Sequence, residues 1–137
     1  MTTIPSSLWP DDLITNVPTI PITVLKEQAA HLGRLTNNVV IAKVKGWTDM
    51  DGDFRLEFVL LAPALGNYEY SLFELYHGTE LYPVRLMSDS EFLIDDEDEL
   101  RLFLERTFSE DRTVRIVRAL VAQARALPPR SDDDVPF

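Results

Sequence analysis

Few side chains in this chain are suited to bond-breaking chemistry. There is no cysteine, so thiol nucleophiles, thiolate zinc sites and disulfide frameworks are excluded. His31 and His77 are the two histidines, and neither lies in a nucleophile motif. The chain has no G-x-S-x-G, no glycine-rich phosphate loop and no H-E-x-x-H. Asp49-Met50-Asp51-Gly52-Asp53 begins like a calcium loop, but an EF-hand needs glycine at loop position six and glutamate at twelve. Counted from Asp49, glycine falls at four and Leu60 at twelve, so the segment reads as an acidic hairpin turn. Asp95 to Glu99 are five acids in succession. Successive helical residues point in different directions and cannot converge on one ion. Helix capping and solubility explain them better. No catalytic residue, metal or cofactor is expected, and the chain reads as a non-enzyme.

Binding chemistry has more to work with. Arg112, Arg115, Arg118 and Arg125 are spaced three, three and seven apart, which puts them on one broad side of a helix. Such a row can neutralise phosphates, or it can pair with the acids of the preceding helix, which is the preferred reading. Eight aromatics fall in strand-like segments: Trp47, Phe54, Phe58, Tyr68, Tyr70, Phe73, Tyr76 and Tyr82. With Lys43, Lys45, Arg55 and Arg85 beside them they could stack the bases of single-stranded nucleic acid. Core packing is the competing reading and the preferred one, since aromatics favour strands in any case.

The length of 137 residues suits one domain, with 45% apolar and 26% charged residues. Net charge is −10, unevenly spread. Residues 89–111 carry ten acids against Arg101 and Arg106, whereas residues 112–130 carry five arginines and no acid. An acidic whole disfavours passive accumulation on nucleic acid or anionic membranes but leaves room for a local basic surface. No apolar run approaches the roughly 18–20 residues of a membrane span. No secretory signal pattern is visible, so a cytoplasmic protein without a membrane partner is expected.

These residues need elements to hold them. Residues 1–21 contain four prolines and read as an irregular arm that could pack on the sheet. Pro21 or Thr23 opens a helix whose apolar face is Leu25, Ala29 and Leu32. Four strands follow: Val39 to Trp47, Phe54 to Ala62, Tyr68 to His77 and Leu81 to Met87. Asp51-Gly52 turns the first hairpin. Pro83 suggests that the fourth strand is an edge, because proline cannot donate to a ladder. Asp95 or Asp96 caps the next helix, which buries Leu100, Phe103, Leu104 and Phe108. Ser109 is expected to cap the last helix, with a stripe of Val114, Val117, Val121 and Ala124, ending near Leu127. Pro128-Pro129 stops it. The expectation is therefore an α+β domain over residues 22–127: a helix, a four-stranded antiparallel meander, and two helices on one sheet face. Residues 128–137 form a short acidic tail.

That tail closes the chain with Asp132-Asp133-Asp134-Val135-Pro136-Phe137. It resembles the acidic tip of bacterial single-stranded DNA-binding proteins, which end in three aspartates, an aliphatic residue, proline and phenylalanine. All six positions match. The resemblance implies docking onto replication, recombination and repair enzymes such as helicases, nucleases and primosome components. The chemistry suits that task. A terminal phenylalanine offers a ring for an apolar pocket and a carboxylate for a basic group. Pro136 lowers the ordering cost, and the aspartates steer the tip to a basic rim. The rest of the chain departs from that family, whose members carry an OB barrel that begins with strands. Here a helix comes first, and Pro128 to Ser131 is far shorter than the family's linker.

Three functions follow as expectations. The first is a single-stranded DNA-binding protein of non-OB fold, of phage or plasmid origin, which recruits replication and repair enzymes through its tip. Arg112, Arg115, Arg118 and Arg125, or Lys43, Lys45 and Arg55 on the aromatic sheet, would hold the DNA. The second is an adaptor or decoy for tip-recognising enzymes that binds no DNA. The third is an acidic secretion chaperone or an antitoxin or immunity protein, similar in size and charge only. A homo-oligomer is compatible with each.

Overall fold

The computed structural model describes residues 6–127. Helix α1 (Pro21–Leu35) leads into β1 (Ile41–Thr48), β2 (Phe54–Ala62), β3 (Tyr68–His77), β4 (Val84–Leu86) and β5 (Asp89–Ile94). Helices α2 (Glu97–Ser109) and α3 (Asp111–Ala126) complete the domain. The strands pair antiparallel in the order β1-β2-β3-β4-β5, so every strand lies beside its neighbour in the chain. The α+β expectation holds, with five strands in place of four. The tail expected at 128–137 lies outside the described residues.

Local chemistry explains the well-placed elements. Pro21 occupies the first turn of α1, where its missing N–H costs nothing. Asn37 and Asn38 follow the helix with φ of 53° and 63°, a left-handed region that asparagine tolerates better than most residues. The Asp49 side chain accepts backbone N–H bonds from Asp51 and Asp53 at 2.9 and 3.0 Å, building the β1–β2 turn. Gly52 sits in it at φ 83°. Asp96 caps α2 by accepting from the Glu99 N–H at 2.8 Å, while Glu99 reaches back to the Asp95 N–H. The acidic run is therefore a cap.

Three expectations need correction. The fourth strand shrinks to Val84–Leu86 and is interior, flanked by β3 and β5; Pro83 lies just before it. The missed strand β5 returns directly after Met87-Ser88, and its ladder with β4 is irregular, so no long alternation advertises it. The sheet edges are β1 and β5. Ser109 ends α2 and caps nothing. Glu110 alone separates the two helices, and its side chain makes no cap bond to α3. The buried line of α3 is Thr113, Leu120 and Ala124, turned about 60° from the valine stripe at ~100° per residue. Val117 and Val121 are half-buried beside it.

The helices cover one sheet face. Leu56, Phe58 and Leu60 of β2 and Phe73 and Leu75 of β3 meet Val24 and Leu25 of α1, Leu100 and Leu104 of α2, and Leu120 of α3. A phenylalanine cluster ties the layers together. Phe58 stacks on Phe73 at 5.3 Å and meets Phe108 at 5.2 Å, and Phe103 stands edge-on to Phe73 at 5.4 Å.

Two stability predictions arise here. The Tyr82 hydroxyl is buried without a hydrogen-bond partner among the described residues. Burial, with Glu97 and Asp96 nearby, pushes the phenol above its ordinary value of 10.0. An unsatisfied buried polar group costs about 1–3 kcal/mol. Tyr82→Phe is expected to leave the urea midpoint unchanged or raise it by the equivalent of ~1 kcal/mol. The second concerns Asp49, whose carboxyl is held below its ordinary value of 3.8 by the Asp53 and Asp51 N–H bonds and by Arg55. A depressed folded-state value contributes stability above the unfolded-state value that is lost as pH falls through the folded one. Thermal midpoints should therefore fall from about pH 5 to pH 3. Asp49→Asn should lower the neutral-pH midpoint and flatten that slope.

Candidate functional site

The sheet face away from the helices carries Lys43, Lys45 and Trp47 of β1, Arg55 and Glu57 of β2, and Glu69 and Glu74 of β3, following the strand register. Its cations are largely spent on neighbours. Lys45 pairs with Glu69 at 3.1 Å. Arg55 meets Glu74 at 2.6 Å and Asp49 at 3.5 Å, and its guanidinium lies over the Trp47 ring at 5.7 Å. Phe58 and Phe73 are core, and Phe54 stacks on His77 at 5.3 Å. The aromatics, for which core packing is the preferred reading, thus split between core and rim. The basic residues of this face sit among acids.

The α3 row is different. Arg112, Arg115, Arg118 and Arg125 are all exposed. Arg112 donates to the Tyr70 hydroxyl at 3.2 Å, and Arg115 donates to the Asp111 carbonyl at 3.3 Å. Among the described residues no carboxylate lies within ion-pair distance of any of the four. The expected alternative, pairing with acids of α2, is therefore corrected. The α2 acid Glu97 is taken by Arg101 within its own helix, and Arg101 also reaches Glu27 of α1. Because α3 packs on the covered face of the sheet, its arginines do not join Lys43, Lys45 and Arg55 in one surface.

Between α1 and α3 the structure opens an apolar cleft of about 290 Å³. Leu32 and Leu35 form one wall, Val114 and Val117 the other, and Phe58 and Leu60 lie at its base. His31 and Arg118 stand at the mouth, where Arg34 donates to His31 Nδ1 at 3.0 Å. Sequence reasoning missed this cleft. The signal was present: α3 has an apolar arc wider than one packing contact needs, with Thr113 and Leu120 packed inward and Val114 left for a second wall.

His77 is buried, and its Nδ1 lies 2.7 Å from the Gly78 carbonyl; His31 is exposed and lines a different cleft. Among the described residues no group of three His, Asp or Glu side chains could hold a metal ion, and no helix is long and apolar enough to cross a membrane. The tip residues Asp132, Asp133, Asp134, Val135, Pro136 and Phe137 lie outside the described residues. Compared with family models, curated proteins and solved structures, the chain finds no match.

Proposed function

We propose that this chain is a non-enzymatic protein of DNA metabolism that holds single-stranded DNA along α3 and recruits replication or repair enzymes through Asp132–Phe137. The observation that carries the proposal is the pairing, in one chain, of that tip sequence with four exposed arginines that have no carboxylate partner among the described residues. An uncompensated arginine row within an acidic protein is a surface for an anionic partner. Arg112 donates to the hydroxyl of Tyr70, and two residues before it on β3 the exposed Tyr68 offers a ring for base stacking.

The test is fluorescence anisotropy of a labelled oligothymidine at low salt, with full-length protein and with protein lacking residues 131–137. Binding that tightens on truncation supports the proposal, because an acidic tip competes for the arginine row. A second reading, the adaptor that binds no DNA, is favoured by the ion pairs that neutralise Lys45 and Arg55. No binding by either form, with capture of a tip-recognising helicase or nuclease that is lost on deleting Phe137, would establish that reading in place of the first.

A further inference from the structure

Two apolar surfaces of this chain lie uncovered, and they complement each other. One is the arm before α1. Leu8 is 91% exposed, Trp9 72%, Ile14 80% and Val17 68%. The segment's backbone bonds are local turns, Leu13 N–H to the Pro10 carbonyl and Thr15 N–H to the Asp12 carbonyl. An aromatic side chain of this kind brings about 150–250 Å² of surface. The expectation that the arm packs on its own sheet is thus corrected. The other surface is the α1/α3 cleft, where Leu35 is 82% exposed.

Their charges also match. The arm sets Asp11-Asp12 between Trp9 and Leu13. The cleft sets Arg118 and His31 beside apolar walls, and Arg34 donates to His31 from outside the lining; neither arginine has a carboxylate partner among the described residues. Within this copy the arm does not fill the cleft: its apolar residues are exposed and none of them lines it.

We propose that residues 8–17 of one copy seat in the α1/α3 cleft of a second copy, so that two chains exchange arms about a twofold axis. Trp9 enters beside Leu35 and Val117, and Asp11-Asp12 face Arg34 and Arg118. The twelve residue steps from Trp9 to Pro21 can reach about 40 Å when extended. Pro10 and Pro18 stiffen the arm and reduce the ordering cost. The twofold axis uses each contact twice, so a small cleft serves a larger interface. The proposal does not require DNA, although it shares Arg118 with the α3 row, and is tested with protein alone.

The experiment is sedimentation velocity of the full chain across micromolar concentrations, with Trp9 emission followed in a Trp47→Phe background. The expected result is a concentration-dependent dimer with Trp9 emission shifted to the blue. Trp9→Ala and Leu35→Glu should each weaken dimerisation at least tenfold. Both positions are exposed, so folding should survive, and circular dichroism checks it. Mixed together, the two variants should form a heterodimer held by the one intact arm and the one intact cleft. A monomer throughout would overturn the proposal. So would a dimer indifferent to both substitutions, or one lost only when residues 128–137 are removed.

Discussion

Replacing Phe58 with alanine should cost about 3–5 kcal/mol of stability. Phe58 is 1% exposed and central to β2. Its ring stacks on Phe73 with an interplanar angle of 11° and meets Phe108 of α2. Alanine would remove both contacts and leave a void that rigid strands on either side could not close. Folded domains have only about 5–15 kcal/mol in reserve, so the variant should unfold at much lower denaturant. Guanidinium denaturation with the slope checked for constancy measures the loss. Phe58→Leu should cost clearly less, because it keeps most of the volume. A loss under about 1 kcal/mol for the alanine variant would show that the cluster is not the joint between sheet and helices.

The second large effect concerns α3. In the proposed DNA complex, changing Arg115, Arg118 and Arg125 together to glutamine removes three phosphate contacts. Each contact to a single strand contributes about 0.7 to the slope of log affinity against log salt. The slope should therefore flatten by about two. Affinity at low salt should drop by on the order of a hundredfold, with little change at high salt. Exposed positions on a helix tolerate glutamine well, so the fold should be intact. Lys45→Gln and Arg55→Gln serve as the contrast: their charges are already paired on the sheet face, and DNA affinity should barely move. A loss at Lys45 and Arg55 with none at the α3 positions would place the DNA on the sheet instead.

Parts of the fold were legible where the sequence repeats a strong local rule. Phe54–Ala62 and Tyr68–His77 alternate or are bounded by turns, and both strands fall where the pattern puts them. The Asp49 turn and the Asp96 cap were legible because a short polar side chain there satisfies backbone N–H groups. Strand β5 was hidden. Its exposed Phe92 and Leu93 break alternation, and the neighbouring β4 is too short to announce a hairpin. The arginine row was readable from spacing, but its lack of acid partners was not. That depends on how α3 is turned against α2, which tertiary packing decides and which leaves no carboxylate within ion-pair distance of the row among the described residues. The cleft was hidden for the same reason, since it exists only between helices more than seventy residues apart in the chain.

The meander has a consequence for how the molecule comes into being. Since each strand joins the one made just before it, the sheet can be zipped hairpin by hairpin across short connections, and each loop closure is entropically cheap. Such low contact order favours fast folding. On a growing chain, which emerges N-terminus first at about 5–20 residues per second, α1 and the strands can settle before α3 has been synthesised. The Leu32 and Leu35 side of the cleft is then bare until Val114 and Val117 arrive. The surface proposed to receive an arm is thus the last part of the domain to be completed, once α3 supplies its second wall.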